Sequence, residues 1–513
     1  MKLGSWAAVL LVLLACSVIR FRLLETPLER DEGEYAYSGQ LMLEGIPPYQ
    51  LACNMKLPGT YAAYAVLMAV LGQTVAGIHM GLLLVNAATI VLVALLGRRL
   101  FGIASGVAAC AAYALMSVGS GVLGIQAHAT HFVVLAAIGG ALLLLRYSDS
   151  RSLATLWWSG LLFGLAFLMK QPGIFFGAFG VLYIVATGWR NRRQLAIQLS
   201  LFLSALAVPF GLTCLLLWRE GVFERFWFWT FTYARAYASE VSPVQGLGFF
   251  LVALLPILKQ NAPLWILAAA GLMRLRRKES RGPSASFATA LLLFSFLAVC
   301  PGWHFRNHYF VLLLPAVALL AGAAVRGRRS YWVFGAALLF SLFMQHELLF
   351  QLSPLEASCQ LHPQSLYPEA IPVARYIRAH SQKNSRIAIL GSEPEIYFYA
   401  GRHSATSYIY MYGLMESQPY ALSMQQDMIR EVTSAAPEFV VEVAGHKSWL
   451  RDEDSPTRIF EWWSEYRPKH YRQVGVADKV SDDHTEYRWD AAAAGYHPRS
   501  DYHMVVYRRE DAQ

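Results

Sequence analysis

Long apolar stretches separated by short polar loops dominate the first 350 residues of the chain. A helix needs roughly 20 mostly apolar residues to cross a membrane. The pattern predicts eleven such spans, at 4–20, 76–97, 103–120, 125–145, 153–169, 173–188, 195–218, 247–273, 286–303, 307–325 and 331–349. Polar residues interrupt 247–273, which is therefore either one long tilted helix or an interfacial helix followed by a short span.

Two apolar segments need a separate interpretation. The segment 59–71 is too short to span and adjoins an acidic loop, so we predict an interfacial helix there. The N-terminal segment, in which Lys2 precedes an apolar run, resembles a signal peptide with a cleavage site at Cys16. The apolar run continues through Ile19, however, which favours an uncleaved first span.

From residue 351 the pattern changes to that of a soluble domain, so we divide the chain into a membrane domain, 1–350, and an α/β domain, 351–513. Alternating elements predict this class: strands at 386–390, 438–443, 471–476 and 502–508, and helices at 420–435 and 459–466. Asp452-Glu453-Asp454 has the spacing of the metal-binding D-x-D of sugar transferases. It lies in a charged stretch with no Rossmann-type start before it, which favours a solvated turn.

Composition supports the membrane assignment. The chain is 56% hydrophobic and 15% charged, whereas an ordinary soluble domain is about 25% charged. The net charge of +9 does not indicate a nucleic-acid partner, because the basic residues of 1–350 gather in short loops on one side of the predicted spans. These clusters are Arg98/Arg99, Arg146/Arg151, Arg190/Arg192/Arg193, Arg274/Arg276/Arg277/Lys278/Arg281 and Arg326/Arg328/Arg329. They predict a multi-pass protein of the inner (plasma) membrane with a cytoplasmic N-terminus. The first outer loop, 20–58, and the C-terminal domain are then extracytoplasmic.

The six cysteines are scattered, and four of them lie in apolar runs. Cys53 and Cys359 are both predicted to face the outside and could form a disulfide, although the sequence does not decide this.

The first outer loop carries the strongest candidate for chemistry. Asp31 and Glu32 follow the first span directly, and acidic side chains at a membrane boundary are functional candidates because their desolvation is costly. Neighbouring carboxylates cannot point the same way, so one could accept a proton while the other orients a partner. An alternative is a capped helix start, with Asp31 as N-cap and Glu34 at the third helical position. Tyr35 is a candidate substrate-binding residue beside them.

Cations at the predicted outer ends of the spans form a second set: Lys56, Lys170 and Arg306, with His308 close to the last. A single lysine at a helix end is commonplace, because its long side chain can reach the interface. Several cations on the outward side, however, are contrary to the positive-inside trend. They indicate a site for a lipid phosphate, because a phosphate needs charged hydrogen-bond donors.

Two further patterns remain open. His128 and His131 have the spacing for a shared metal, but no third ligand is evident, which favours polar packing at a helix end. The aromatic run 226–231 suits either a belt at the membrane–water boundary or a lid over a lipid-linked substrate.

The motifs of 1–350 resemble those of the dolichyl- and undecaprenyl-phosphate sugar transferases, including the protein O-mannosyltransferases and the lipid A aminoarabinose transferases. The first outer loop carries the most specific part. The residues that carry the resemblance are Asp31-Glu32-Gly33-Glu34-Tyr35-Ala36 with Gly45, Lys56-Leu57-Pro58, Gly164-Leu165-Ala166-Phe167-Leu168-Met169-Lys170-Gln171-Pro172 and Phe305-Arg306-Asn307-His308-Tyr309-Phe310 with Leu314-Pro315.

The resemblance implies a C-type glycosyltransferase fold with about eleven transmembrane helices. It also implies transfer of a sugar from a polyprenyl-phosphate donor to a lipid, glycan or protein acceptor, by one inverting displacement and without a strict need for a metal. Asp31 matches the family's base, with Glu32 as its support, and Lys56, Lys170 and Arg306 match positions associated with the donor phosphate.

One departure from the family pattern stands out, since many relatives have an acidic residue where this chain has His128-Ala129-Thr130-His131. A catalytically inactive lipid-binding relative is therefore an alternative. A secondary transporter is a weaker one, because the spans are almost uncharged and no inverted repeat is evident.

Overall fold

A computed structural model describes residues 3–278, 282–482 and 484–510; Lys2 and Arg281 lie outside the described residues. The part up to residue 344 is helical throughout, with short loops and 3₁₀ or π turns between the helices. The helices are α1 Leu3–Arg22, α2 Arg30–Leu43, α3 Gly59–Leu71, α4 Val75–Phe101, α5 Ile103–Met116, α6 Ala129–Ser150, α7 Leu153–Met169, α8 Ile174–Gly188, α9 Arg192–Arg219, α10 Phe223–Trp227, α11 Ala234–Ala238, α12 Pro243–Leu275, α13 Pro283–Val299, α14 Leu314–Ala324 and α15 Arg328–Met344.

The multi-pass architecture predicted from the sequence is confirmed. Each predicted span coincides with a helix, and six helical segments of the described chain are long and apolar enough to cross a membrane by themselves. Large apolar side chains such as Leu11, Trp218 and Val244 are exposed on these helices, as expected of surfaces that contact lipid. The predicted interfacial segment is also helical, as α3.

Three spans differ in detail from the prediction. The interval predicted at 247–273 lies in α12, which consists of two helical segments joined at a kink where Asn261 leaves helical geometry. Pro263 causes this interruption because it lacks a backbone N–H. The helix expected at 125–145 begins only at Ala129, and a 3₁₀ turn, Asn307–Leu312, precedes α14. The last two differences place His128 and His308 in irregular backbone at the ends of helices.

The chain beyond residue 351 folds around one six-stranded sheet. Its helices are α16 Pro354–Leu361, α17 Tyr367–His380, α18 Glu395–Ala400, α19 Tyr412–Met415, α20 Ala421–Ala435, α21 His446–Trp449 and α22 Arg458–His470. Its strands are β1 Arg386–Leu390, β2 His403–Ser404, β3 Phe439–Ala444, β4 Tyr471–Ser481, β5 His484–Trp489 and β6 His503–Arg509, in the order β2-β1-β3-β6-β4-β5. The first three strands are parallel and the others pair antiparallel.

All four predicted strands and both predicted helices of this part are present, while β2, β5 and helices α16–α19 and α21 were not predicted. Asp452, Glu453 and Asp454 lie exposed in a turn, as the sequence favoured.

The C-terminal part packs directly on the first outer loop. Gly33 of α2 lies so close to α18 that a Cβ atom on it would be 2.6 Å from the backbone nitrogen of Glu395. Farther along the loop, the Cys53 N–H donates to the Ser407 carbonyl at 2.8 Å, forming a single parallel β-bridge. The Cys53 thiol lies 3.2 Å from the Tyr49 carbonyl oxygen, and the disulfide with Cys359 is not formed.

The aromatic segment between α9 and α12 also contacts the C-terminal part. Its π turn, Phe228–Tyr233, packs Trp229 against Tyr408 with ring centroids 5.9 Å apart, while Trp227 is exposed. The segment thus forms one wall of a space between the helices and the sheet.

Candidate active site

Helix α2 begins with a capping box that fixes the position of the acidic motif. Glu29 is the N-cap residue: its carboxylate accepts the Glu32 N–H at 3.0 Å, and the Glu32 carboxylate accepts the Glu29 N–H at 3.3 Å. The predicted cap, Asp31 with Glu34 as its partner, is therefore wrong by two residues. Because Glu29 and Glu32 satisfy the backbone donors, Asp31 is left for other contacts.

Asp31 and Glu34 share one lysine. The Lys56 ammonium lies 2.6 Å from Oδ1 of Asp31 and 2.7 Å from Oε2 of Glu34, and all three side chains are largely buried. Glu34 also accepts a hydrogen bond from Asn54 at 2.7 Å. Since the two acids are three residues apart on α2, they lie on one helical face and meet the same cation.

The two carboxyl groups differ in electrostatic environment. Burial acts to raise the pKa of Asp31, but Lys56, His308 and His128 together outweigh burial and hold this pKa well below its usual range. Burial raises the pKa of Glu34 despite the same lysine. Asp31 is therefore the member of the pair that remains ionised.

Glu32 points away from Asp31, as expected of neighbours on a helix, and is completely buried. One carboxylate oxygen, Oε1, lies 2.9 Å from Nε2 of His79 and accepts the Ala127 N–H at 2.6 Å. Glu32 thus ties α2 to α4 and to the turn before α6. It supports the position of Asp31 through the backbone rather than by direct contact.

Two histidines flank the free side of Asp31. Oδ2 of Asp31 lies 3.8 Å from Nδ1 of His128 and 3.9 Å from Nε2 of His308, and the two imidazole rings stack with centroids 4.1 Å apart. His131 is not part of this group. Within the described residues, both ring nitrogens of the buried His128 lack a hydrogen-bond partner, which makes them available to a bound molecule.

Asp31, His128 and His308 could hold a divalent cation, since one ligand atom from each falls within 4.8 Å of the others. Ligand atoms of a transition metal lie about 2.0–2.2 Å from the ion, so the three would have to move closer together. The Lys56 ammonium already neutralises Asp31 and would compete with such an ion.

Lys170 and Arg306 differ from Lys56 in their partners. The Lys170 ammonium lies 3.3 Å from Nε2 of His308 and 4.1 Å from the centre of the Tyr309 ring. Among the described residues, no carboxylate lies within 4 Å of the charged nitrogens of Lys170 or Arg306. The Arg306 charge is therefore free to pair with an anion. Burial lowers the pKa of Lys170 to about 7, and an anion bound beside its amine would favour the charged form.

The C-terminal part supplies the opposite wall. The Tyr410 hydroxyl lies 3.3 Å from Oδ1 of Asp31. Arg30, which precedes Asp31, donates to the Ser392 carbonyl at 2.6 Å and pairs with Glu393 at 3.4 Å. Ser392 and Glu393 follow β1, and residues from 445 follow its parallel neighbour β3, so this wall is the carboxyl edge of the parallel strands.

These walls enclose a cavity of about 540 Å³. It brings together Asp31, Lys56, Lys170, Arg306 and His308, all predicted site residues. Glu32 does not line it, and Tyr35 lies beneath Lys56, with its ring centre 4.7 Å from the ammonium. A second, largely apolar cavity of about 870 Å³ runs between α12 and α13, and Phe310 and Leu313, which precede α14, also line it.

Sequence reasoning missed Tyr410, Tyr412 and Glu416, which line the polar cavity from the C-terminal part. The position of the parallel strand ends could have indicated this wall, but the residues between 401 and 416 carry no recognisable motif.

Comparison with known proteins defines the class. Residues 56–218 match the family model described as dolichyl-phosphate-mannose-protein mannosyltransferase. No protein with a curated description matches the chain in sequence.

Solved structures share the fold across nearly the whole chain. ArnT from Cupriavidus metallidurans, bound to undecaprenyl phosphate, is 14% identical with a TM-score of 0.62, and the match covers 99% of this chain and 98% of ArnT. The oligosaccharyltransferase AglB from Archaeoglobus fulgidus, in complex with an inhibitory peptide and a dolichol-phosphate, is 12% identical with a TM-score of 0.51, covering 96% and 74%. The arabinofuranosyltransferase AftD from Mycobacteria is 13% identical with a TM-score of 0.54, covering 99% and 40%.

The chain is thus a multi-pass membrane protein with the C-type glycosyltransferase fold. The resemblance predicted from its outer-loop motifs to the polyprenyl-phosphate-dependent sugar transferases is confirmed.

Proposed function

We propose that the protein transfers a sugar from a polyprenyl-phosphate carrier to an acceptor on the outer face of the membrane, with Asp31 as the base. One observation carries the proposal: an ionised, largely buried carboxylate shares a 540 Å³ cavity with two cations that have no carboxylate partner among the described residues. A base and an anion site in one cavity are what such a reaction requires.

The donor phosphate would bind at Lys170 and Arg306. Lys56 is a weaker candidate for this role than the sequence indicated, because two carboxylates already neutralise it. The apolar cavity between α12 and α13 is suited to the polyprenyl chain. ArnT bound to undecaprenyl phosphate and AglB in complex with a dolichol-phosphate have the same fold, which supports a lipid phosphate as ligand.

The reaction would proceed by one displacement at the anomeric carbon. An acceptor hydroxyl forms the new glycosidic bond from the face opposite the phosphate, and its proton passes to Asp31. The bond between the anomeric carbon and the phosphate oxygen breaks, and the electron pair leaves with the polyprenyl phosphate. Lys170 and Arg306 stabilise the charge that develops on this leaving group. The sugar inverts its anomeric configuration.

The remaining polar residues position this base. Glu32 holds α2 through His79 and the Ala127 N–H. Tyr410 donates to the same Asp31 oxygen that Lys56 contacts, which leaves Oδ2 facing the histidines and the acceptor.

Two measurements on the full-length protein in detergent test the proposal. Binding of undecaprenyl phosphate, followed by native mass spectrometry, is expected to fall about 10–100-fold in Arg306→Ala and Lys170→Ala, because each removes a charged hydrogen-bond donor worth about 1.5–3 kcal/mol. The exposed Arg235 and Lys259 provide the matched controls Arg235→Ala and Lys259→Ala. Unchanged affinity in both cavity variants would remove the phosphate site.

Transfer is assayed with lipid-linked sugars extracted from bacterial membranes. Lipid binding without any transfer by the wild-type protein would favour the alternative of an inactive lipid-binding relative. That alternative is motivated by His128 and His131, which stand where many relatives have an acidic residue. Movement of the intact donor across vesicle membranes without bond cleavage would favour a transporter.

A further inference from the structure

The polar cavity has opposite charges on its two sides. Lys170 and Arg306 lie on the membrane-helix side, whereas the C-terminal side presents the carboxyl group of Glu416. Glu240, at the end of the aromatic segment, lies close enough to Glu416 for the two charges to affect one another. An anion bound in this cavity is therefore attracted to one side and repelled from the other.

The protein holds Glu416 in place through one of its two carboxylate oxygens. It follows α19, and its Oε2 accepts a hydrogen bond from the Tyr233 hydroxyl of the aromatic segment. Within the described residues, Oε1 accepts no hydrogen bond, and the side chain is half-buried against the cavity. A carboxyl group in this setting retains capacity for a bound hydroxyl group.

Two aromatic rings accompany this carboxyl group. Tyr233 donates a hydrogen bond to it. Burial raises the pKa of Tyr237, and Glu416 lies close enough for its charge to raise this pKa further. Both rings line the cavity, and the Tyr237 ring stacks on His304 with centroids 4.2 Å apart. Flat aromatic faces beside a fixed hydrogen-bonding group fit a ligand that has C–H faces and hydroxyl edges. A sugar ring has both.

From this arrangement we propose that Glu416 binds the acceptor, and that the acceptor is a neutral carbohydrate rather than a phosphorylated or otherwise acidic molecule. This inference rests on the proposed function. The donor phosphate would occupy the side of Lys170 and Arg306, and the acceptor would bind in the half of the cavity that this phosphate leaves empty. Glu416 is then a specificity-determining residue: it hydrogen-bonds sugar hydroxyl groups and repels an acceptor that carries its own negative charge.

Several cations also face this part of the cavity. Arg306 lies close enough to Glu416 to act on its pKa, and the donor phosphate would neutralise this cation. Arg30 is paired with Glu393 and bonded to the Ser392 carbonyl, and the Lys447 ammonium donates to the Pro363 carbonyl at 2.5 Å. His446 also lines the wall. Burial raises the pKa of Glu416 to about 7 and that of Glu240 to about 8, so both carboxyl groups are partly protonated near neutral pH. Their full negative charge, and with it the repulsion of an acidic acceptor, is present only at higher pH.

Binding of simple sugars to the full-length protein in detergent tests the inference. Saturation-transfer NMR titrations at a pH of about 9, where the Glu416 and Glu240 carboxyl groups are largely ionised, compare methyl α-glucoside and methyl α-mannoside with glucose 6-phosphate. We expect the wild-type protein to bind at least one neutral glycoside and to bind glucose 6-phosphate at least tenfold more weakly. Undecaprenyl phosphate is present at saturation, so that the donor side is occupied.

Variants test whether the Glu416 side chain is what discriminates between neutral and acidic sugars. Glu416→Ala is expected to weaken neutral-glycoside binding about 10–100-fold, which corresponds to the loss of a hydrogen bond to a charged group. Glu416→Gln keeps an acceptor for the Tyr233 hydroxyl and is expected to bind glucose 6-phosphate at least fivefold more tightly than the wild type does. Glu465→Gln, an exposed carboxyl on α22, is the matched control.

The outcomes separate this inference from the proposed function. Absence of glycoside binding, equal binding of the acidic sugar by the wild type, or an unchanged preference in Glu416→Gln would overturn it, the last by showing that Glu416 only holds Tyr233. If Glu416→Ala does not fold, the Glu416→Gln comparison decides. Loss of binding in the variants without any sugar transfer by the wild type would support the acceptor site while contradicting the transferase proposal.

Discussion

The Tyr410 hydroxyl lies 3.3 Å from Oδ1 of Asp31, although the two residues are 379 positions apart. The contact joins the C-terminal α/β part to the side chain that we propose as the base. The C-terminal part therefore takes part in the site itself, along with the membrane helices and the first outer loop.

We expect Tyr410→Phe to lower kcat for sugar transfer about tenfold or less, since it removes one hydrogen bond of about 0.5–1.5 kcal/mol and keeps the ring. Tyr487→Phe, an exposed tyrosine of the same part, is the control. A kcat equal to that of the wild type would show that the Tyr410 contact does not affect the base.

Asp31→Asn is expected to reduce transfer about 10²–10⁴-fold, the range that general-base catalysis supplies. Binding of undecaprenyl phosphate should change little, whereas the melting temperature should fall, because the neutral amide no longer forms an ion pair with the buried Lys56 ammonium. Asp454→Asn in the exposed turn is the control. Normal transfer by Asp31→Asn would refute the assignment of the base.

Lys56→Met is expected to destabilise the protein more than it weakens donor binding. The substitution leaves the carboxylates of Asp31 and Glu34 buried without their shared cation, and breaking a buried ion pair costs about 3–5 kcal/mol. The thermal unfolding midpoint measures the loss, and the double variant Lys56→Met/Asp31→Asn should recover part of it. A loss of donor affinity at unchanged stability would instead place Lys56 in the phosphate site.

Gly33→Ala is expected to separate α2 from α18. The new Cβ would lie 2.6 Å from the Glu395 nitrogen, which belongs to the backbone and cannot turn aside. Gly211→Ala, inside α9 with open space around it, is the control. Limited proteolysis between residues 345 and 366 measures the release of the C-terminal part, and equal protection of both variants would contradict the tight contact.

The pH dependence of stability should carry a contribution from Glu416. Burial raises its pKa from the ordinary 4.5 to about 7, so between these values the folded protein holds a proton that the unfolded chain has released. The contribution of Glu416 to the free energy of unfolding therefore falls as the pH rises from about 4.5 to 7. Glu416→Gln should flatten the corresponding part of a plot of melting temperature against pH. An unaltered slope would contradict the raised pKa.

Sequence reasoning located the membrane helices and most of the polar cavity, because span length and outward-facing charge are local properties. It placed the helix cap at Asp31 because aspartate is a preferred N-cap and glutamate is not, whereas the structure uses Glu29. Nothing in the local pattern could show that His79 would bind Glu32, since that contact depends on how α4 packs against α2. The stacking of His128 on His308 is likewise a property of the assembled helices, which the spacing of His128 and His131 could not predict.

The pairing of Arg30 with residues more than 360 positions later has a consequence for biogenesis. The membrane helices are synthesised before the sheet. Helix α2 is therefore in place beside them before its partners in the C-terminal part have been made. Arg30, Gly33 and Cys53 acquire their partners only after residues 392–408 have been synthesised. Maturation of the cavity is thus the last step of assembly, and a nascent or truncated chain that has inserted correctly remains without its C-terminal wall.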